Sequence, residues 1–507
     1  FMKNIITLSL FSLFSLFCFA NKVSVDNVSI TGQNSASNYK FVEFDLSWEN
    51  SWRTSAGPSN WDAVWVFCKY RATSSSTWSH ATLNTTSGNH SAATGSTIAP
   101  SSDGKGAFIY QSADGAGNVN FSDLQLRWEY GTDGLLDNDS VEICVFAVEM
   151  VYIPTGSFTL GDGNSISLES TAAFHSPYNT SNPVTVSTSL VSDVHADGGY
   201  DDAQLTGTAT VGIGIDGDGG IDTNDDGTVD NTSFPTGYGA FYIMKHELSQ
   251  GQYASFLNKL TSAQDLSRFY NTTAYRQTVS GTPGGRVASA PNRAMNYTDW
   301  PDLAAYADWS GLRPMTELEF EKAARGSEPS VTGEFAWGNT SLTTSIYTFL
   351  YDGAANSSVS NISSGIGNAQ YNTTDNNAVG PLRSGIFAAS SPNHTRIETG
   401  GSYYGVMELS GNLMEYCVTL GRTGGRSYTG THGDGNLSSN GFANESWPGL
   451  NAGVVSRTTA SYGFGLRGGS FNIASSAMPI SYRAYMNTSY ANTSSYYTGI
   501  RLVRTAP

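Results

Sequence analysis

Cysteine is scarce. Four occur in 507 residues, and Cys18 lies in a leading apolar run, so a multi-disulfide framework of the kind that staples small secreted domains is excluded. Of the other three, Cys68, Cys144 and Cys417, at most one pair can bridge within the chain. Cys68 and Cys144 both sit in strand-like apolar runs (Trp65-Val-Phe-Cys68 and Val141-Glu-Ile-Cys144), where they are either bridged or buried as small hydrophobes. Charge is also sparse: Asp, Glu, Lys and Arg make up 14% of the chain, against roughly 25% in an ordinary soluble domain. The balance is acidic, with a formal net charge of -17 and no Lys/Arg cluster. Such a surface repels phosphate backbones and anionic lipid heads, which argues against nucleic acid and peripheral membrane binding.

Long apolar runs are missing as well. The run Ile5 to Phe19 falls short of the ~20 residues that span a bilayer. With the basic start Met2-Lys3-Asn4 before it and Cys18-Phe-Ala20 after it, it reads as a signal peptide cleaved after Ala20. The expected chain is therefore exported, secreted or held at the cell surface, with no transmembrane segment after cleavage. Catalytic signatures are equally absent: there is no Gly-x-Ser-x-Gly, phosphate loop or dinucleotide fingerprint. The histidines (His80, His90, His175, His195, His246, His394 and His432) are scattered without metal-ligand spacing.

What is present begins with short strands. Between residues 21 and 148, Val23-Ser-Val25, Phe44-Asp-Leu46-Ser-Trp48, Val64-Trp-Val66-Phe and Leu124-Gln-Leu126-Arg-Trp128 alternate or run apolar at strand length, separated by Gly/Ser/Asn-rich turns. No helix-length amphipathic stretch interrupts them. This predicts an all-β sandwich over 21–148, its core closed by aromatics such as Trp52, Trp61 and Trp78.

At Glu149 the pattern changes. Met150-Val-Tyr-Ile-Pro154-Thr-Gly156-Ser-Phe158 reads as a strand entering a turn, followed by a polar Asp/Gly-rich insertion over 162–235. In Phe241-Tyr-Ile-Met-Lys-His-Glu247-Leu-Ser249-Gln-Gly-Gln252-Tyr253 a strand leads into a helix that Ser249 and Gln252 cap as a box. Pro301 to Gly326 encodes two helices. Gly311 ends the first, Thr316 and Glu319 cap the second, and Gly326 stops it.

Taken in order, these blocks resemble the sulfatase-modifying-factor family, whose founding activity is the formylglycine-generating enzyme. The Lys-x-Glu-x-Ser-x-x-Gln-Tyr block, Gly311-x-Arg313-Pro-x-Thr-Glu317-x-Glu-Phe-Glu321, Phe335-Ala-Trp337-Gly338, Gly411-Asn-Leu-Met-Glu415-Tyr, Arg467-Gly-Gly-Ser470-Phe and Gly499-Ile-Arg501-Leu all match. The resemblance implies an α+β domain over 149–507, an elaborated C-type-lectin-like fold low in regular secondary structure. It also implies a cysteine pair just after Gly-Gly-Ser that holds copper, since copper(I) requires soft thiolates. Here those positions fall near Ile473 and Met478, and 472–490 has no cysteine. No copper is expected, and the non-haem iron branch of the family lacks its histidines here.

The resemblance further implies calcium at Glu408 and Glu415, through their side chains, with the carbonyls of Gly411 and Leu413. Mixed carboxylate and backbone oxygens suit that ion. A second calcium candidate is the half EF-hand Asp222, Asn224, Asp226 and Asp230, although position twelve is Ser233 rather than a bidentate Glu.

Residues 472–497 are rich in Tyr, Ser, Asn and Thr, a recognition-surface composition. They resemble the variable region of retroelement-diversified proteins. Asn472, Tyr485, Asn487, Tyr490, Asn492, Tyr496 and Tyr497 are the candidate ligand-binding residues, with Tyr482 expected in the core and the other tyrosines exposed. The expected function is non-catalytic recognition of a protein or glycan at the outside of the cell. The alternatives are an oxidoreductase with an unrecognised site and a structural surface or envelope component.

Overall fold

The computed structural model describes residues 23–163, 173–174, 182–187, 231–372, 379–420, 423–450, 463–486 and 494–507. The predicted signal peptide, most of the polar insertion including Asp222, Asn224, Asp226 and Asp230, and the ligand candidates Asn487, Tyr490 and Asn492 lie outside them.

The N-terminal region is β-rich, as the alternation requires. Its strands are β1 (Ser24–Asn34), β2 (Tyr39–Arg53), β3 (Asp62–Ala72), β4 (Ser96–Pro100), β5 (Ala107–Gln111), β6 (Gly115–Trp128) and β7 (Val141–Ile153). Strands β1, β2 and β6 make a three-stranded antiparallel sheet. Its inward residues, among them Val42, Phe44, Leu46, Trp48, Leu124, Leu126 and Trp128, meet Val64, Val66, Cys68 and Ile109 of a second sheet in one core.

That second sheet continues beyond the N-terminal region. It has eight strands, and the later ones enter as β8 (Phe241–Met244), β9 (Arg313–Pro314) and, at the C-terminus, the strand Leu502–Thr505. The order runs β9, Leu502–Thr505, β8, β7, β3, β5, β4, with Ser79–His80 beside β3. The boundary expected at 148/149 thus falls inside a single strand, β7, instead of in a linker. Glu149 marks a change in what covers the sheet. Every position of β3 from Asp62 to Tyr70 is buried, because alternate side chains face two different cores. Val64, Val66 and Cys68 point to the N-terminal core, while Ala63, Trp65 and Phe67 point to the larger one shared with α-helices.

Polar contacts secure the shared sheet. Trp65 Nε1 donates to Ser310 O at 2.9 Å, Lys69 Nζ to Gly435 O at 2.6 Å, and Arg504 Nη2 to both Asp103 oxygens at 2.6 Å. The aromatics assigned to the N-terminal core are a correction. Trp52 packs against the C-terminal core, Trp61 stacks on Tyr152 at 3.9 Å, and Trp78 lies 4.1 Å beneath the Lys259 ammonium. The tryptophans of the N-terminal core are Trp48 and Trp128. All three cysteines are free thiols. Cys68 and Cys144 face opposite sides of the sheet, Cys68 in the N-terminal core and Cys144 against the other, so they do not bridge.

The helices form where the caps predict. In α1 (Gln250–Leu257) Ser249 and Gln252 exchange the two bonds of a capping box. Helix α2 (Ser262–Arg268) and helix α3 (Trp300–Ser310) are boxed by Thr261 and Asp299, and Gly311 ends α3 in a left-handed conformation (φ 70°). In α4 (Glu317–Arg325) Thr316 and Glu319 close the box. Among the described residues, no helix is long and apolar enough to cross a membrane.

Helix α4 is nailed to the C-terminal segment by buried ion pairs. Glu317 accepts from Arg483 Nε at 2.6 Å and Nη2 at 2.9 Å, and lies 3.4 Å from Arg467 Nη1. Glu321 accepts from Arg467 Nη2 at 2.6 Å and Arg325 Nη1 at 3.1 Å. The acidic repeat of the Thr-Glu-x-Glu-Phe-Glu block is therefore an anchoring device.

Candidate functional site

The segments that follow Gly-Gly-Ser and Gly411-Asn412 meet behind α1. A small sheet of β10 (Met414–Val418) between β11 (Phe464–Arg467) and Thr498–Gly499 sets their spacing. Asn412 is the hub, and its backbone is left-handed (φ 63°). Its Oδ1 accepts from Leu382 N at 2.8 Å, its N donates to Gln370 O at 2.9 Å, and its O accepts from Phe471 N at 2.8 Å. Its Nδ2 donates to Glu247.

Three buried carboxylates gather around this hub. Glu408, also left-handed (φ 58°), accepts from Gly385 N at 2.6 Å and pairs with His246 Nδ1 at 3.1 Å. Glu247 accepts from Leu413 N at 2.9 Å. Glu415 accepts from Arg501 Nε at 2.6 Å, and its other oxygen, Oε2, is buried with no hydrogen-bond partner. Burial pushes the Glu415 carboxyl up to about 7 despite Arg501. Burial, with Glu415 next in weight, raises Glu247 well above the ordinary carboxylate range. A bare buried carboxylate oxygen is costly unless a proton or cation meets it. Backbone strain at Glu408 and Asn412 is of the kind held in place at functional sites.

Of the calcium set that the resemblance implies, Glu415 presents one oxygen without a partner, and both Glu408 oxygens are engaged, by Gly385 N and His246. Among the described residues no three His, Cys, Asp or Glu side chains converge as a metal shell, but a set of two carboxylates and two carbonyls does not need them. Sequence reasoning missed Glu247; the Lys-x-Glu-x-Ser block carried the signal, which was used there only to place a helix.

The positions after Gly-Gly-Ser carry no thiol. Met478 is fully buried against Phe335, Trp337 and Ala369, its carbonyl accepting from Ser410 Oγ at 2.9 Å. A Cβ on Gly469, which has φ +71°, would lie 2.7 Å from Met478 Cγ, so the glycine is required by this close approach. Ile473 packs at the margin of the main core. Cys417, the nearest thiol in sequence, is buried in an apolar core, and burial raises its pKa well above the usual thiol value.

Of the tyrosines expected to stand exposed, the described ones, Tyr485, Tyr496 and Tyr497, are half-buried instead. Tyr485 lies against the main core and 5.8 Å from the Tyr482 ring, and its carbonyl accepts from Leu466 N at 3.1 Å. Tyr482 is also half-buried; its neighbour Arg483 is the interior residue, 3% exposed. Tyr496 stacks on Tyr275 at 4.1 Å and 10°, touches Tyr497 at 5.2 Å, and receives a bond on its hydroxyl from Asn472 Nδ2 at 3.2 Å. The bridge between Ser495 and Thr298, with Tyr297 N donating to Ser495 O at 3.0 Å, holds the segment there. Asn472, Tyr496 and Tyr497 are thus the described candidates that the structure brings together, while Tyr485 pairs with Tyr482 away from them. Tyr275 and Tyr297, which the sequence reading did not single out, complete the cluster around Tyr496.

The sulfatase-modifying factor enzyme 1-like domain model matches residues 206–506. The chain belongs to this family. Two of its relatives are formylglycine-generating enzymes. That of Thermomonospora curvata is 39% identical over 66 residues, covering 13% of this chain and 21% of that protein. That of Streptomyces coelicolor is 27% identical over 127 residues, covering 20% and 40%. The aligned stretches span less than half of either curated relative. The family is enzymatic, and the β-rich region before residue 149 lies outside the family match.

Proposed function

We propose that the chain is an exported, non-catalytic recognition protein. In this reading a β-sandwich precedes a C-type-lectin-like domain of the sulfatase-modifying-factor type, which calcium stabilises. The observation that carries it is the occupant of the thiol positions. Ile473 and Met478, neither of which offers a thiolate, stand where the resemblance puts the metal-binding pair of the family's enzymes, and the segment beside them presents tyrosines with Asn472. Such surfaces suit recognition, since tyrosine offers large, rigid, amphipathic area.

The ligand is a protein or a glycan, found by array. Ala substitution at Tyr485, Tyr490 and Tyr496 is expected to weaken it at least about tenfold, equivalent to ~1.4 kcal/mol, with the fold retained. Undiminished binding by the triple variant would overturn the assignment of the surface.

Calcium is assigned to Glu408, Glu415 and the carbonyls of Gly411 and Leu413, supported by the unpartnered Glu415 Oε2. Bound there, it supplies charge compensation and holds the Asn412 hub. Excess chelator is expected to lower the melting temperature, because a ligand bound only to the native state stabilises it by mass action. Glu415→Gln should remove most of that difference. An unchanged melting point together with no metal by elemental analysis would leave Glu415 as a partner of Arg501 alone.

A further inference from the structure

Beside the tyrosine surface, three arginines converge where the chain as a whole carries net charge -17. Arg293 and Arg383 face each other across an isolated antiparallel bridge, which puts their side chains on one side about 5 Å apart at Cβ. Arg276 and Arg293 share a single carboxylate, Asp352, with Arg293 Nη2 at 3.1 Å from it. Arg383 donates to Ser357 O at 3.2 Å and makes no ion pair among the described residues. Two guanidinium groups therefore share one half-exposed carboxylate, with Arg383 across the bridge from Arg293. Arg276 Nε and Nη1 and Arg293 Nε are buried without any hydrogen-bond partner. Unmade charged donors of this kind are expensive, and an oxyanion would satisfy several at once in the planar fork geometry that guanidinium favours. Burial, and then the neighbouring Arg293 charge, push Arg276 down to about 10.

The backbone is bent to build this arrangement. Tyr275 (φ 49°) and Arg276 (φ 64°) are consecutive left-handed residues, a conformation that is costly for non-glycine residues. Two side chains pin it: Gln250 Nε2 donates to Arg276 O at 3.1 Å, and Asn296 Nδ2 donates to Tyr275 O at 3.0 Å and to Tyr496 O at 3.2 Å. The twist sends Tyr275 outward, 36% exposed and stacked on Tyr496, while Arg276 turns inward to Asp352. One strained dipeptide thus joins an aromatic pair to a cluster of guanidinium groups.

We infer that this junction, Tyr275 and Tyr496 with Arg276, Arg293 and Arg383, binds an acidic glycan: a sugar ring lies on the tyrosines and its carboxylate or sulfate enters between the guanidinium groups. The inference deepens the recognition reading above by giving it a ligand class, and it rests on that reading for Tyr496.

Titration calorimetry of the full chain with a hyaluronan octasaccharide, its carboxyl-reduced form, a chondroitin sulfate octasaccharide and a poly-glutamate peptide tests it. Expected are binding of the acidic sugars, at least tenfold weaker binding of the carboxyl-reduced one, and weakening by salt. Preference for chondroitin sulfate over hyaluronan identifies the group as sulfate; equal affinity identifies it as carboxylate. Arg276→Gln should cost tenfold or more. Asp352→Asn, which removes the competing carboxylate at an exposed position, should tighten binding, and Tyr275→Ala should weaken it without lowering the melting temperature. These last two variants decide the matter if Arg276→Gln fails to fold.

No binding of either acidic sugar, equal binding of the carboxyl-reduced form, or equal binding of poly-glutamate overturns the inference. A different ligand that needs Tyr496 yet ignores Arg276→Gln also overturns it while leaving the recognition reading standing. Acidic-glycan binding that needs Arg276 and Tyr496 but neither Tyr485 nor Tyr490 upholds it and overturns the wider tyrosine surface of the recognition reading.

Discussion

Replacing Glu317 with alanine is expected to lower the unfolding free energy by about 3–5 kcal/mol, the usual cost of removing one partner from a buried ion pair. Glu317 is fully buried. Its two oxygens take three hydrogen-bond donors besides Arg467: Arg483, Thr419 Oγ1 at 3.0 Å and Leu420 N at 3.0 Å. Burial raises its pKa, and Arg483 and Arg467 more than reverse that, holding the carboxyl below its ordinary range. Alanine leaves both guanidinium groups inside the protein with one counter-charge fewer. Because Arg467 opens the Gly-Gly-Ser segment and Arg483 sits in its middle, the loss should also loosen the candidate site. The matched control is Glu142→Ala. Its pair with Arg71, at 2.8 Å, is substantially exposed, and such pairs contribute about 0–1 kcal/mol. Urea denaturation of both variants provides the comparison, and a Glu317→Ala loss no larger than that of Glu142→Ala would show that the network is not what anchors α4.

The second large effect is an absence of turnover. Copper-loaded protein is expected to leave a sulfatase-type cysteine peptide unconverted, at the level of a no-protein control by mass spectrometry. A copper(I) centre needs thiolates within bonding reach, and a thiol must ionise to provide one. Ile473 offers hydrocarbon, Met478 has its thioether packed against Trp337 and Phe335, and Cys417 is walled into a different core with its pKa raised by burial. Cys68 and Cys144 lie in the β-rich N-terminal sheet. Formylglycine above background would mean that the chain retains the family's chemistry through a site of another composition, and would remove the ground for the non-catalytic reading.

Much of the local structure was legible in the chain because it is decided locally. Ser249 with Gln252 and Thr316 with Glu319 announced two helix starts, and Gly311 a helix end, since each satisfies backbone groups within one turn of itself. The family blocks were readable for the same reason, as was the missing thiol pair, which is a matter of residue identity alone. The sequence could not show that β7 runs through residue 148. A strand buried on both faces has no period-two signal to mark where one covering layer gives way to another. It could not show that Tyr496 would be half-buried against Tyr275, some two hundred residues away in the chain, because composition reports that a tyrosine can face solvent and not what folds back over it. Nor could it gather Arg276, Arg293 and Arg383, or set Glu247 beside Glu415. Those juxtapositions are created by loops that cross between α1, the Asp352 turn and the small sheet around β10, and charges brought together by tertiary structure have no spacing in the sequence to betray them.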